Sequence, residues 1–272
     1  MTTMTAIADR QEGAATPRAR RDVRPIPTSR VIAVELRKMF DTRSGFWLAA
    51  GIVISALLAT AAVIVFAPDD ALTYDTFGAA IGIPMVVLLP VMAILSVTSE
   101  WSQRSGLTTF TLIPGRGRVI LAKMLVSVGI GAVSIVVALG IGAIGNLLGS
   151  TIAGVDPVWN ISVDQGLSLV LGNVLGLLIG FMLGVLIRNS AAAIVAYFVY
   201  GFVLAGLTAL LAASQEWFRD LQPWVDFNYT QGLLFEGLPS GEGWSQLAVA
   251  GFGWVVVPLI VGLLLVRRSE VK

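Results

Sequence analysis

The chemistry open to this 272-residue chain is bounded first by residues it lacks. It contains no His and no Cys. The commonest general base and metal ligand is therefore absent, as are thiol catalysis, disulfides and Cys-based metal sites. There is no Gly-x-x-x-x-Gly-Lys-Ser/Thr phosphate loop, because Gly115-Arg-Gly-Arg118 is too short and lacks the Lys-Ser/Thr end. Gly-x-Ser-x-Gly and His-Glu-x-x-His are also absent. The chain is not expected to be an enzyme or to hold a cofactor or metal of its own, so energy for uphill work must come from a partner. Polar chemistry concentrates in the run Glu100 to Lys123, which carries Arg104, Arg116, Arg118 and Lys123, one acid (Glu100), Gly106 and Pro114. In a chain with only 13% charged residues, such a run reads as a surface built to touch something.

The elements that position it follow from composition. The chain is 56% hydrophobic, and its charged share is about half the roughly 25% of a soluble domain. Six apolar segments are near or above the roughly 20 residues needed to cross a bilayer: 46–67, 77–97, 119–149, 166–187, 191–213 and 245–266. The expected fold is an all-α polytopic membrane protein with one transmembrane domain over 28–268. Residues 1–27, with Pro17, Pro25, Pro27 and five Arg, read as a disordered tail lightly attracted to anionic lipid, and 269–272 as a second tail. Arg20-Arg21 does not make a twin-arginine signal: the apolar run that follows comes too late, is too long and lacks a small-residue cleavage site.

Thr28 to Arg43 has the pattern of an interfacial helix, with Thr28 or Ser29 able to cap it after Pro27. At 100° per residue Ile32, Leu36, Met39 and Phe40 share one face, expected toward the acyl chains. Glu35, Arg37, Lys38 and Asp41 share the other. The competing reading is a plain extension of the first span. The third span is longer than it needs to be, so its first turns, including Lys123, are expected to project into the cytoplasm. Arg188-Asn189-Ser190 is a tight turn between the fourth and fifth spans.

Charge placement orients the chain. With six spans, both termini lie on one side, and 17 of the 18 Lys and Arg residues fall there; Arg219 is the exception. Asp69, Asp70, Asp75, Asp156, Asp164, Glu216, Asp220, Asp226, Glu236 and Glu242 fall on the other. Lys and Arg near span ends are retained in the cytoplasm, so both termini are expected inside.

Within the spans, Gly172, Gly176, Gly180 and Gly184 recur every four residues and make a face that another helix can approach closely. Its partner could lie in the same subunit, with the Gly140–Gly149 region of the third span a candidate, or across a dimer. Pro84 and Pro90 interrupt the second span, as shape or as a hinge. Asn146, Asn173 and Tyr197 are polar groups at depth, either interhelical partners or part of a substrate path. No ionisable residue falls near the middle of a span, which argues against ion-coupled transport. The outer loop 214–244 is rich in Trp, Phe and Tyr, suggesting short helices at or dipping into the interface. Asn160-Ile-Ser162 and Asn228-Tyr-Thr230 fit the N-glycosylation pattern, relevant only in a eukaryotic secretory pathway.

Two patterns together resemble the membrane permease subunit of an ABC-2 type ATP-binding cassette transporter. One is Glu35-Leu-Arg-Lys38…Arg43 leading into six spans. The other is Glu100-x5-Gly106-x7-Pro114-x3-Arg118-x4-Lys123. Gly106-Leu-Thr108 departs from the family's more usual Gly-Thr. The resemblance covers about 28–268 and implies two permease subunits above two cytoplasmic ATPase chains, which would hold ATP and Mg. The cytoplasmic segment 98–118 would be a coupling loop seated in an ATPase groove. Glu100, Arg104, Arg116 and Arg118 would supply charged contacts there and Leu107, Phe110 and Leu112 apolar ones, with Gly106 in the same coupling set. The interfacial helix (Ile32, Glu35, Leu36, Arg37, Lys38, Phe40) would add a second contact. The implied activity is export of an amphipathic or lipophilic substrate across a bacterial plasma membrane, with no nucleic-acid partner. A secondary carrier needing no ATPase and a non-transport immunity or scaffold protein are the alternatives.

Overall fold

The computed structural model describes residues 26–41, 43–102 and 116–268. The expected N-terminal tail, the short C-terminal tail and most of the expected coupling loop, including Arg104, Gly106, Leu107, Phe110, Leu112 and Pro114, lie outside the described residues. The described chain is helical, and six of its helices are long and apolar enough to cross a membrane. They coincide with the six apolar segments.

Helix α1 (Thr28–Asp41) starts where the Pro27 carbonyl accepts from Arg30 and Val31 N–H. The first span, α2 (Arg43–Phe66), follows it and leads through a 3₁₀ turn to α3 (Tyr74–Ser102) and then α4 (Arg116–Ala153). The 154–162 connection is pinned to the start of α3: the Tyr74 N–H donates to the Val158 carbonyl, and the Asp75 N–H to Asn160 Oδ1. Helix α5 (Val163–Ile187) begins with Ser162 accepting from the Gln165 N–H. It ends at Arg188 in the left-handed region (φ 57°), whose N–H caps the Gly184 carbonyl. Asn189 then caps the next helix through the Ala192 N–H, so Arg188-Asn189 forms the expected tight turn.

Helix α6 (Ser190–Ser214) contains a π turn at Val199–Leu204. Two short helices follow, α7 (Glu216–Val225) and α8 (Phe227–Leu233), as the aromatic outer loop suggests. The last helix, α9, runs Gly241–Gly251, continues through a π turn at Phe252–Val256 and finishes as Val257–Arg268. The Tyr200 and Trp254 rings, one from each π turn, lie 5.5 Å apart.

Helices α3 and α5 form the centre. On one side Ile52 and Ala56 of α2 and Ile135 and Ala138 of α4 pack on Ile81, Met85, Leu89 and Phe181. On the other, Tyr197 of α6, Phe227 of α8, Leu234 just after it and Leu247 and Val255 of α9 pack on Ile94, Ile179 and Met182. The Gly172–Gly184 face is filled within the subunit. A Cβ on Gly180 would stand 2.6 Å from the Pro90 carbonyl oxygen, and one on Gly184 3.3 Å from Ile94 Cα. At the other end Gly176 admits Gln231, and Gly172 admits Leu234 and Phe235. The partners are therefore α3 and the α8 region. The Gly140–Gly149 stretch meets other neighbours: Gly142, Gly145 and Gly149 all accommodate Phe77 of α3, and Gly145 also Thr60 of α2.

Helix α3 remains continuous through both prolines. Pro90 has no N–H, so the Val86 carbonyl one turn earlier loses its helical donor. The Tyr197 hydroxyl donates to that carbonyl at 2.7 Å. In hydrocarbon a freed carbonyl needs such a donor, and this span's neighbour provides it.

Candidate functional site

Four charged side chains converge where α1 crosses the end of α3 and the start of α4. Lys123 Nζ of α4 lies 2.5 Å from Glu35 Oε2 of α1 and 3.0 Å from Glu100 Oε1 of α3. Lys38 Nζ of α1 lies 3.0 Å from Glu35 Oε1 and 3.2 Å from Glu100 Oε1. Each ammonium thus bridges both carboxylates, and the set is electrically neutral. Glu35, Glu100 and Lys123 are 3%, 4% and 6% exposed, whereas the Lys38 side chain keeps 40% of its surface. Burial pushes the Lys38 ammonium down. Its hydrogen bond to Glu35 and the charges of Glu35 and Glu100 outweigh that and hold it above its ordinary value.

The local sequence explains the convergence. Val31 and Glu35, one helical turn apart, are the two buried positions of α1. The helix therefore turns the Val31–Glu35 stripe to the protein, where a solvated polar face was expected. Ile32, Leu36 and Phe40 line an apolar groove of about 510 Å³ with Ile52 and Val53 of α2 and Gly129 of α4. Arg37 is exposed. Lys123 interrupts the run Val119-Ile-Leu-Ala-Lys-Met-Leu-Val126, and burial there requires a paired anion. Glu35 and Glu100 hold it against the ends of α1 and α3. Arg118 reinforces the joint, donating to the Ile26 carbonyl at 2.8 Å and the Thr28 hydroxyl at 2.9 Å at the start of α1.

The structure brings Glu100, Arg118, Glu35 and Lys38 to one end of the bundle. They flank the 103–115 segment, whose own residues lie outside the described set, as does the Arg116 side chain. Lys123, the last residue of the motif, carried no contact of its own in the sequence reading; the structure pairs it with Glu35 and Glu100.

The polar groups at depth have separate roles. Asn146 Nδ2 donates to the Val158 carbonyl and holds the 154–162 connection. Tyr197 caps Val86. Asn173 donates to the Leu169 carbonyl, and its Oδ1 has no partner among the described residues.

Asp226, counted with the outer loop, sits at the corner between α7 and α8. There the Trp254 indole, from the middle of the last span, donates to the Val225 carbonyl. Asp226 is 8% exposed, accepting from Gln222 Nε2 and the Tyr229 N–H. The corner that carries this carboxylate folds back against the middle of the last helix. Among the described residues no group of three acids could hold a metal ion. Comparison with known families and with curated proteins finds no match to the chain.

Proposed function

We propose that this chain is the membrane-spanning permease subunit of an ABC-2 type exporter, driven by a separate cytoplasmic ATP-binding cassette ATPase. In this reading both termini are cytoplasmic and the protein resides in a bacterial plasma membrane. A second permease subunit completes the pathway. The observation that carries the reading is the four-charge joint. Glu100 lies just before the 103–115 segment and Lys123 just after it, and both are locked to α1 through Glu35 and Lys38. A push delivered to that segment would move the ends of α3 and α4 together with α1 as one body. The α3–α5 seam would carry the movement into the bundle. A chain with no phosphate loop needs such a handle.

Asp226 favours a second reading, an ion-coupled carrier, since an ionisable group buried among spans is a functional candidate by default. Against it, both Asp226 carboxylate oxygens are occupied in holding the hairpin corner. The test is co-expression of the full chain with a lone ATP-binding cassette protein encoded beside it. Co-purification, with ATPase activity that falls on Glu100→Lys, is the expected result. A chain that transports without any ATPase, and whose transport stops on Asp226→Asn, would overturn the exporter reading in favour of the carrier. The absence of Cys makes topology directly testable. A single Cys at Asp156 should react with an impermeant maleimide from outside, and one at Asn189 should not.

A further inference from the structure

We propose that the cleft between α3, α4 and α5 binds a lipophilic cation carrying a hydrogen-bond donor. The cation's role as cargo rests on the exporter reading; its binding does not. The cleft has a volume of about 300 Å³. Its walls are apolar, from Ile81 and Met85 of α3, Ile135 and Leu139 of α4 and Leu169 of α5. Gly82 leaves real space, since a Cβ there would meet nothing within 4 Å. Among the residues lining the cleft, one is charged and one is a neutral polar side chain.

The charged one is Asp75, exposed in the first turn of α3 and in no ion pair among the described residues. The polar one is Asn173, 5% exposed, whose Nδ2 donates one N–H to the Leu169 carbonyl while Oδ1 lacks a partner among the described residues. Fixing Nδ2 as the donor leaves Oδ1 able only to accept, so the group it wants is a donor. Val86, eleven residues beyond Asp75, also lines the cleft, so it extends about 16 Å along the axis of α3. An apolar slot with a carboxylate at its mouth and Asn173 in its wall, the Oδ1 of which is buried and unmet, selects a flat or elongated cation with an N–H, and disfavours anions. The acids Asp69, Asp70, Asp156 and Asp164, near the same end of the bundle, would steer cations toward it.

The test uses the full chain in phosphatidylcholine nanodiscs without any ATPase, titrated with 9-aminoacridine, a fluorescent planar cation with an exocyclic NH₂. Empty nanodiscs correct for partitioning. Saturable binding is expected, with no comparable binding of acridine-9-carboxylate. Asn173→Leu should weaken it about tenfold, the range of a hydrogen bond to a charged group. Asp75→Asn should weaken it and flatten its dependence on salt. Gly82→Leu should abolish it. Gly82→Cys gives an independent readout, because a bound ligand should slow maleimide labelling of this single thiol. Binding that is unchanged in Gly82→Leu, a carboxylate that binds as well as the amine, or labelling indifferent to 9-aminoacridine would each overturn the proposal. Failure of an ATPase to co-purify would sink the exporter reading and leave this one standing.

Discussion

At one end α3 is held by Glu100, through two ammonium groups from two other helices. Ten residues earlier, about 15 Å along the axis, it is held at Pro90 by the missing side chain of Gly180. The first joint is made of groups that would each be costly alone, and it works because all four are present. The second is made of backbone surfaces that touch because nothing lies between them. A charged joint is directional and can be loosened by moving one partner. A glycine seam is tight and has no polar group to release. That difference suits a bundle whose end receives a push and whose middle transmits it.

The largest expected effect comes from breaking the charged joint on one side only. Lys123→Ala leaves Glu35 and Glu100 buried with Lys38 alone between them. The cost should be about 3 kcal/mol, the low end for removing one member of a buried ion pair, because half of the countercharge survives. Thermal unfolding of the purified protein measures it, and a loss below about 1 kcal/mol would mean that the cluster is wetter than its burial indicates. The double change Glu35→Leu with Lys123→Leu sharpens the point. It removes one charge of each sign, leaves Glu100 with Lys38, and should recover most of the stability. If ATPase coupling nonetheless stays lost in the double variant, the joint serves function and not merely folding.

The seam comes next. Gly180→Ala places a Cβ 2.6 Å from the Pro90 oxygen and 2.8 Å from its Cα, and a helix backbone cannot step aside as a side-chain tip can. Overpacking of this kind costs about 1–3 kcal/mol. The same substitution at Gly82, where the Cβ meets nothing, should be neutral or slightly stabilising. Equal melting temperatures for Gly180→Ala and Gly82→Ala would refute the seam.

Much of this arrangement is readable in the sequence. Six spans follow from hydropathy, and the tight turn follows from Arg188-Asn189-Ser190. The packing face on α5 follows from the four-residue glycine spacing, and the short outer helices from aromatic density. What could not be read has a common cause, namely pairing between residues far apart in the chain. Spacing shows that Gly180 wants a close neighbour but not that the neighbour is Pro90. Helical periodicity puts Glu35 on a polar face, yet only the crossing of α1 over α4 decides that this face is buried. Lys123 lies 88 residues from Glu35. Charge counting by loops places Asp226 in the outer loop but cannot show that its corner packs on the last helix. The spans themselves illustrate the same gap. Helices α5 and α6 are almost equally apolar, but 56% of the most apolar stretch of one is buried and 11% of that of the other. Hydropathy says that a helix avoids water, and small-residue spacing says which helices face protein.

A smaller effect probes how Pro90 is tolerated. Tyr197→Phe removes the donor to the Val86 carbonyl and nothing else of its size. Interhelical hydrogen bonds in membranes average about 0.6 kcal/mol, and this one serves a carbonyl with no helical donor, so a loss near 1 kcal/mol is expected. Combining it with Pro90→Ala should cancel the loss, since alanine restores the Val86 acceptor to its own helix. Additive effects would mean that the hydroxyl does not answer the proline.

The smallest effect belongs to Lys38, the one member of the charged joint that reaches solvent. Its ammonium is held above the ordinary lysine value by Glu35 and Glu100. A raised folded pKa gives stability that is fully present below the unfolded value of 10.5 and is lost as pH rises through the folded one. Across the neutral range the melting temperature should therefore show no slope from this group. Lys38→Met should cost less than about 1 kcal/mol, as for other partly exposed pairs, and should remove part of the alkaline fall. Lys123 would then carry both carboxylates alone, so Lys38→Met and Lys123→Ala together should cost more than their sum. That excess is the energetic signature of two ammonium groups sharing two acids. Simple additivity would reduce the joint to independent pairs and remove the reason to treat the ends of α1, α3 and α4 as one moving body.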